Sequence, residues 1–486
     1  MAKNFASTGR WEVITGQFSS SSNYVLYTLM LAIHFFIGMD SVFVPLLFNC
    51  IASFGVLYAF GQCLSEIGVS SNKFIVFGML FLFAVPLHYL AYMALGSTLH
   101  LWLLLLLLSR FSAYISLDNH KEKGIISISI LAALTMLSGY STFFVIFTLI
   151  ILFLYKKQLS NALVFGLISL FPVIAFGAIS VISGGYFIPN DYMIILADIK
   201  YANHDIIYYL TNWIVQLANN PGTGIGFIFV LGCSIYSIAI KENNPIRWIS
   251  IIGVVSYIAH STILPLDYNG LDQAYLTGFA IICFSYLANL IFYNKKYIVF
   301  IVLGMISFLI LRTYPFVYGS RYDISNINSQ QMQVANFVEE HLQNTPLVIS
   351  SPGVISYYTN NNIFDLSMKE SSPMLDYYIE NGSMIEDMIA ISADNISARI
   401  AIIYEDNYKE LIPREWSKLA TWTVTNNLNL DKSSVHFYNI SFNEKNILKS
   451  LQLFESELPE NVKVDYIIDP PKDEVKILPY LINGRY

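Results

Sequence analysis

Few side chains in the first two-thirds of the chain can do acid–base chemistry, and one polar segment holds several of them. Asp191 directly follows Pro189 and Asn190, and Lys200 comes nine residues later. A carboxylate can deprotonate a hydroxyl group, and a lysine can stabilise a leaving phosphate. Asp191 is therefore the candidate catalytic base, with Asn190 and Lys200 as candidate substrate-binding residues. The structural alternative is a helix cap or solvated carboxylate for Asp191 and an ordinary exposed lysine for Lys200.

A second group of polar residues lies farther along the chain. His260 stands near the end of an apolar run and is followed by Asp267 and Tyr268. A polar group in an apolar run is costly unless it has a partner, so it indicates a cavity more often than a lipid-facing surface. Near the N-terminus, Arg10 is a further cation that can contact phosphate. All four are candidate substrate-binding residues, and a histidine bonded to a neighbouring helix is the alternative for His260.

No nucleotide-binding or hydrolase motif accompanies these groups in the sequence. The patterns GxxxxGK(S/T), GxSxG and HExxH are absent. The cysteines at 50, 63, 233 and 283 lie in apolar runs without a CxxC pair, which indicates core residues and not a zinc site or disulfide framework. The formal net charge of −7 provides no basic face for nucleic acid.

The composition places most of these groups on a membrane-embedded framework. The chain has 486 residues, of which 55% are hydrophobic and 13% charged, whereas about a quarter of an average soluble domain is charged. Apolar runs that are long enough, or nearly so, to cross a bilayer predict about ten spans. They are 41–64, 74–95, 97–116, 124–139, 141–155, 160–184, 223–240, 248–264, 272–293 and 297–316. The short pair 124–139 and 141–155 is typical of one tilted hairpin.

Lysine and arginine residues predict the orientation of these spans. They cluster in loops on one side, at Lys121 and Lys123, Lys156 and Lys157, Lys241 with Arg247, and Lys295 with Lys296. Such clusters favour the cytoplasmic side. Residues 185–222 and those after 317 are then expected outside the cytoplasm, and the protein is expected in a bacterial inner membrane.

This orientation fixes the side of the membrane on which the N-terminal region must begin. Residues 1–40 must begin outside, unless the short apolar run 23–38 also crosses. Neither a span nor a signal peptide with an apolar central region precedes them. The sequence therefore predicts either that 23–38 is a span or that a first span precedes the given sequence.

Three stretches resemble bacterial GT-C glycosyltransferases, polytopic enzymes that take sugars from polyprenyl phosphate. Residues 4–38, NFASTGRWEVITGQFSSSSNYVLYTLMLAIHFFIG, resemble the family's first exterior loop. Residues 185–190, GYFIPN, resemble the start of a later exterior loop. The third match comprises QMQVANFV at 331–338, LVISSPGVISYY at 347–358 and NIFDLS at 362–367. The chain looks like a divergent relative of the protein mannosyltransferases and arabinosyltransferases of this superfamily.

The resemblance implies a hexosyl- or pentosyltransferase. It would move a sugar from a polyprenyl-phosphate donor to a glycan, lipid or protein acceptor at the outer face of the membrane. It also implies that 23–38 is a juxtamembrane helix, with one first span missing. The site needs a carboxylate base, a cation for the leaving phosphate, either a divalent metal or Lys/Arg, and a lipid-facing groove. The implied domains are an exterior loop at 1–22, a transmembrane domain at 23–316 and an extracytoplasmic domain at 317–486.

Several acids that the resemblance implies are missing, and this leaves alternatives. Residues 95–99, LGSTL, carry no acid, SGYS at 138–141 replaces an RP(D/E)G-like turn, and QAY at 273–275 replaces an RY pair. One alternative is a non-catalytic GT-C-fold membrane protein, such as an assembly partner. A second is an envelope polysaccharide polymerase or ligase, which the absence of arginine from 185–222 disfavours. A third, a transporter, would show internal symmetry, and none is evident.

The C-terminal residues predict a separate α/β domain. Strands are expected at 347–350, 363–366, 400–404, 421–424 and 435–440, and helices at 329–342, 372–380, 383–391 and 445–456. Strands interleaved with helices favour a small three-layer sandwich around one sheet. No catalytic triad or metal cluster stands out in it, so we expect it to cap the membrane site or bind the acceptor.

Overall fold

A computed structural model gives the fold of most of the chain, in two compact units. It describes residues 1–39, 43–116, 122–202, 206–241, 244–264, 273–291, 325–370, 372–384, 386–404, 408, 411–425, 433–441 and 444–467, with isolated positions between 303 and 309. The helical unit comprises Met1–Arg321 and Tyr378–Gly382, and the sheet unit comprises Tyr322–Tyr377 and Ser383–Tyr486.

The helical unit is a bundle of largely apolar helices. Its N-terminal helices are α1 (Ala2–Thr8), α2 (Val25–Phe36), α3 (Phe43–Glu66), α4 (Phe74–Ala84), α5 (Leu87–Tyr92), α6 (Ser97–Ser116) and α7 (Glu122–Ser138). The helices that follow are α8 (Phe143–Tyr155), α9 (Leu159–Ile182), α10 (Asn190–Tyr201), α11 (Ile206–Asn219), α12 (Pro221–Ala239), α13 (Ile246–Ile263) and α14 (Ala274–Ile291). A 3₁₀ turn, Tyr140–Thr142, joins α7 to α8.

Five of the described helices are long and apolar enough to cross a membrane: α3, α6, α9, α12 and α13. This finding is compatible with the predicted membrane protein. Shorter apolar helices lie at most of the other predicted spans, among them α7, α8 and α14. The predicted span 297–316 lies almost wholly outside the described residues.

Two of the apolar runs differ from a simple span. The run 74–95 is not one helix, because α4 ends at Ala84 and α5 begins after Pro86, which has no backbone N–H with which to continue the helix. The run 23–38 forms α2 with 12 residues, a length of about 18 Å. That is shorter than the apolar core of a bilayer, about 30 Å, so α2 alone fits a juxtamembrane helix better than a span.

Close backbone approaches hold the bundle together. An ideal Cβ placed on Gly55 of α3 would lie 2.3 Å from the indole ring of Trp102 on α6. Only a residue without a side chain allows this contact, as is common where small residues let membrane helices pack closely. The adjoining core is apolar and includes Val56, Phe60 and Leu105.

The bundle has two ends, one with Lys73 and Lys156 and the other with Asp191 at the start of α10. At one end, Nζ of Lys156 lies 4.9 Å from the centre of the Trp248 ring, and Nζ of Lys73 donates a 2.8 Å hydrogen bond to Asn289. We call this the lysine end. The other end, which we call the Asp191 end, contains the junctions between α5 and α6, between α9 and α10, and between α13 and α14. Of the predicted basic clusters, Lys156 with Lys157 and Lys241 with Arg247 lie at the lysine end, whereas Lys121, Lys295 and Lys296 lie outside the described residues.

The sheet unit contains one six-stranded sheet with the order β2-β1-β3-β5-β4-β6. Its strands are β1 (Leu347–Ile349), β2 (Ile363–Asp365), β3 (Ile400–Tyr404), β4 (Ser417–Val424), β5 (Ser434–Asn439) and β6 (Val462–Tyr466). The pairs β1–β2 and β1–β3 are parallel, and β5 runs antiparallel to both β3 and β4. Helices in this part of the chain are α15 (Gln333–His341), α16 (Gly353–Tyr358), α17 (Ser372–Asn381), α18 (Glu386–Asn395) and α19 (Glu444–Phe454).

An aromatic cluster forms the core on one face of this sheet. Trp422 is 1% exposed, stacks on Phe454 of α19 with ring centres 5.8 Å apart, and contacts Phe437 of β5 at 4.6 Å. Phe337 of α15 completes the group. All five predicted strands are confirmed, and β6 was not predicted because its charged residues at Lys463 and Asp465 resemble a loop.

Candidate functional site

Two segments far apart in the sequence meet at the Asp191 end. Asn190 begins α10 after Pro189, is 1% exposed, and its backbone N–H donates to the carbonyl of Ser20 at 3.2 Å. The side chain of Asn23 donates a 3.0 Å hydrogen bond to Oδ2 of Asp191, across 168 residues. The first loop and the loop before α10 therefore form one structure around the candidate base.

Asp191 lies at the start of a helix and is hydrogen-bonded to the first loop. The residue lies in the first turn of α10, where the helix dipole stabilises a negative charge. Asn23 adds a hydrogen bond to the same carboxylate. The side chain is half-buried, so part of it remains accessible.

His260 belongs to a buried polar group that links three helices and a turn. Its Nδ1 lies 2.9 Å from the hydroxyl oxygen of Tyr275 at the start of α14. The Tyr275 ring lies 5.7 Å from the ring of His100 on α6. Nε2 of His100 in turn lies 2.6 Å from the hydroxyl of Thr142, in the turn before α8. Both histidines are at least nine-tenths buried.

This group continues toward Asp191. Tyr140 shares the 3₁₀ turn with Thr142, and its ring centre lies 6.0 Å from that of Tyr192, the residue after Asp191. Two hydrogen-bonded pairs, His260 with Tyr275 and His100 with Thr142, and two ring contacts, His100 with Tyr275 and Tyr140 with Tyr192, thus form a row of polar and aromatic side chains from the start of α10 into the bundle. We call this set the polar chain, and its members are Asp191, Tyr192, Tyr140, Thr142, His100, Tyr275 and His260.

Several buried polar atoms beside the polar chain have no hydrogen-bond partner among the described residues. They are Oγ of Ser97, Oγ1 of Thr98, the hydroxyl oxygen of Tyr140 and Oε1 of Gln273. Buried polar groups in folded proteins are normally paired. A polar occupant, such as water or the hydroxyl groups of a sugar, would satisfy these atoms.

Gly139 lies directly against the ring of His100. An ideal Cβ at this position would lie 2.8 Å from ring atoms of His100. Any side chain here would displace the His100 ring from its hydrogen bond with Thr142. The lack of a side chain at Gly139 therefore fits the position of the buried histidine.

The other sequence-predicted site residues lie elsewhere. Lys200 is exposed, and its Nζ donates a 2.9 Å hydrogen bond to the hydroxyl of Tyr201. In the part of the chain that the structure describes, no hydrogen bond joins Lys200 to the polar chain. Arg10 lines a different cavity, beside α1 and α2. Asp267 and Tyr268 lie outside the described residues.

The described residues contain no group of three or more His, Cys, Asp or Glu placed to hold a metal ion. Tyr275 lies between the two histidines of the site, His100 and His260, and is hydrogen-bonded to His260. Within this part of the chain the site offers hydrogen-bonding and acid–base groups.

Sequence reasoning missed His100, Thr142, Tyr275 and Asn23 as members of this site. His100 lies in an apolar run and resembles a packing residue, as do His34 and His88. The available signal was position: His100 comes one turn after the start of a span, as His260 comes one turn before the end of another. Both are therefore at the same depth on the same end of the bundle.

Comparison with known proteins gives limited information. A family model described as a domain of unknown function, DUF8728, matches residues 325–438. This match covers part of the sheet unit, from residue 325, before α15, to Tyr438 within β5. No curated protein matches the chain.

Proposed function

We propose that this protein is a membrane glycosyltransferase that moves a sugar from a polyprenyl-phosphate donor to an acceptor at the outer face of a bacterial inner membrane. The observation that carries the proposal is the polar chain buried at one end of an apolar bundle, with a carboxylate at its mouth. Polar residues at such a depth are costly and are characteristic of functional sites in membrane proteins. The resemblance of residues 4–38 and 185–190 to the GT-C superfamily supports it, since both stretches contribute to this end.

In the proposed reaction, Asp191 accepts the proton of an acceptor hydroxyl group. The acceptor oxygen then bonds to the anomeric carbon of the sugar, and the bond between that carbon and the phosphate oxygen breaks. The electron pair leaves with the polyprenyl phosphate. His100, Tyr275 and the partnerless atoms of Ser97 and Gln273 would hold the hydroxyl groups of the sugar.

The proposed topology assigns the lysine end to the cytoplasm, because basic residues favour that side. The Asp191 end and the sheet unit then lie outside the cytoplasm. About ten spans would cross the bilayer, with the five long helices and the shorter apolar helices at its core. The acceptor would be a glycan, lipid or protein of the cell envelope.

The proposal is tested by replacing Asp191 in the full-length protein. Asp191→Asn should lower sugar transfer from labelled polyprenyl-phosphate sugars at least about 100-fold, because loss of a general base typically costs two to four orders of magnitude. The substitution keeps the shape and one hydrogen bond to Asn23. Asp394→Asn, at an exposed position in the sheet unit, is the matched control and should leave transfer unchanged. Equal activity of Asp191→Asn and wild type would remove Asp191 from the site.

A non-catalytic membrane protein of the same fold is the second candidate. Ser97 and Thr98 occupy the stretch where the GT-C pattern has an acid, and both side chains are buried and uncharged. Such a protein would fold normally but bind no polyprenyl-phosphate sugar. Equilibrium binding of a labelled donor to the purified wild-type chain separates the two candidates, since only the transferase retains the donor.

A further inference from the structure

Two adjoining cavities lie beside α1 and α2, apart from the polar chain. The first has a volume of about 530 Å³ and is lined by Arg10, Trp11 and Glu12. The second has a volume of about 450 Å³ and is lined almost entirely by apolar residues. Phe5 and Leu29 line both cavities. A polar chamber therefore continues directly into an apolar groove.

The polar chamber is lined by two opposite charges, the buried Glu12 and the exposed Arg10, that form no ion pair with each other in the described part of the chain. Glu12 is 3% exposed, and the backbone N–H of Gly16 donates a 2.8 Å hydrogen bond to its Oε2. In the described part of the chain, neither Glu12 nor Arg10 forms an ion pair. A buried carboxylate is costly without a cation nearby. The chamber therefore favours a ligand that brings a positive group to Glu12 and a negative group to Arg10.

Trp11, between these two residues, provides an independent indication of a ligand. Its side chain is 6% exposed, and its indole Nε1 is buried with no hydrogen-bond partner among the described residues. Buried tryptophan N–H groups normally find an acceptor. A ligand with oxygen acceptors in this chamber would complete the missing bond.

The apolar groove follows one face of α2. Leu29, Ala32, Ile33 and Phe36 line it, at the spacing that puts residues on one side of a helix. Ile33 and Phe36 are 63% and 79% exposed. A groove of this kind, open along an apolar helix face, suits a hydrocarbon chain and not a water-soluble ligand.

We propose that these two cavities bind a phospholipid whose headgroup carries both a phosphate and a primary ammonium group. Arg10 would contact the phosphate, and Glu12 the ammonium. The indole N–H of Trp11 would donate to a phosphate or ester oxygen, while an acyl chain occupies the groove along α2. This site is independent of the proposed sugar transfer, because it needs neither Asp191 nor a polyprenyl donor. A lipid with a phosphate alone would leave the charge of Glu12 unmatched.

The test measures lipid binding by the delipidated full-length protein in detergent with native mass spectrometry. The probes are phosphatidylethanolamine and phosphatidylglycerol with identical acyl chains, and polyprenyl phosphate. Wild type should bind phosphatidylethanolamine roughly tenfold more tightly than phosphatidylglycerol, a difference typical of one charge-assisted contact. Glu12→Gln should abolish this preference, and Arg10→Gln should weaken the binding of both phospholipids. Arg110→Gln, at an exposed position on α6, is the control and should change nothing.

Three results would overturn the proposal. They are equal affinity of wild type for the two phospholipids, an unchanged preference in Glu12→Gln, and tighter binding of polyprenyl phosphate than of phosphatidylethanolamine. The last result would assign the cavities to the donor lipid. If Glu12→Gln fails to fold, Ile33→Asp tests the groove instead, because this side chain is 63% exposed and lines the groove. Its charge in the groove should lower the affinity for phosphatidylethanolamine at least about tenfold.

Discussion

The helical unit and the sheet unit each contain a cluster of buried polar side chains, and the two clusters are bonded differently. In the sheet unit, the fully buried Asp365 accepts hydrogen bonds from the backbone and hydroxyl of Ser367 and from the backbone of Glu370. In the helical unit, the Asp191 end leaves buried atoms of Ser97, Tyr140 and Gln273 without partners in the described residues. The cluster around Asp365 is thus satisfied internally, whereas water or a bound molecule would satisfy the atoms at the Asp191 end; elsewhere in the sheet unit, Nε1 of Trp422 also lacks a partner among the described residues.

This difference indicates where each unit has its role. The loop after β2 is fixed by Asp365, and burial, together with the charge of Asp365, raises the pKa of Tyr408 to about 12. Such an arrangement stabilises a fold. The polar chain of the helical unit joins side chains from α6, α10, α13 and α14 around a half-buried carboxylate. This arrangement is the basis of the proposed transferase site.

The largest effect on stability is expected in the aromatic core of the sheet unit. Trp422→Ala should lower the local free energy of unfolding by about 3–5 kcal/mol, because it removes a large, fully buried ring. Hydrogen exchange of peptides from β4 and β5, measured on the full chain, reports this change. Tyr358→Ala, at a position 38% exposed in the same unit, should have little effect. Unchanged protection in Trp422→Ala would show that this cluster does not stabilise the sheet.

A smaller effect is expected where α3 meets α6. Gly55→Ala places a methyl group against the Trp102 ring and should destabilise the helical unit by about 1–3 kcal/mol through overpacking. Thermal unfolding of the protein in detergent measures the change. Gly78→Ala on α4 is the matched control, since nothing lies within 4 Å of its Cβ position. Similar melting temperatures for both variants would contradict close packing of α3 on α6.

The smallest effect on stability is expected in the polar chain, with a larger one on activity. Thr142→Val removes the hydrogen bond to His100 and should change the free energy of unfolding by at most about 1.5 kcal/mol. Transfer should nevertheless fall roughly tenfold or more, because His100 loses the group that orients it. Thr148→Val is the control: its hydroxyl bonds only to the carbonyl of Phe144 on its own helix. Equal activity in the two variants would exclude His100 from the site.

The sheet unit was largely predictable from sequence because its signals are local. Its central strands are short apolar runs between turn residues, and their burial follows from that pattern. The edge strand β6 was missed since its alternating charges at Lys463 and Asp465 also fit a loop. The break between α4 and α5 was missed because the sequence around Pro86 is continuously apolar, which predicted one span, although a proline itself favours a break.

The candidate site was predictable only in part because its partners are distant in sequence. Asp191 and His260 stood out as polar residues at the ends of apolar segments. His100 did not stand out, because His34 lies in a similar apolar run. The ring nitrogens of His34 have no hydrogen-bond partner within the described residues. Only the packing of α6 against the turn before α8 distinguishes the two histidines, by placing Thr142 next to His100.

The most direct test of the central claim is sugar transfer by the purified wild-type chain. Polyprenyl-phosphate donors carrying different labelled hexoses and pentoses would be incubated with the protein and with an envelope extract that supplies acceptors. The account predicts labelled product from at least one donor, with release of polyprenyl phosphate in equal amount. Donor that remains intact and unbound throughout the panel, with a protein shown to be folded, would contradict it.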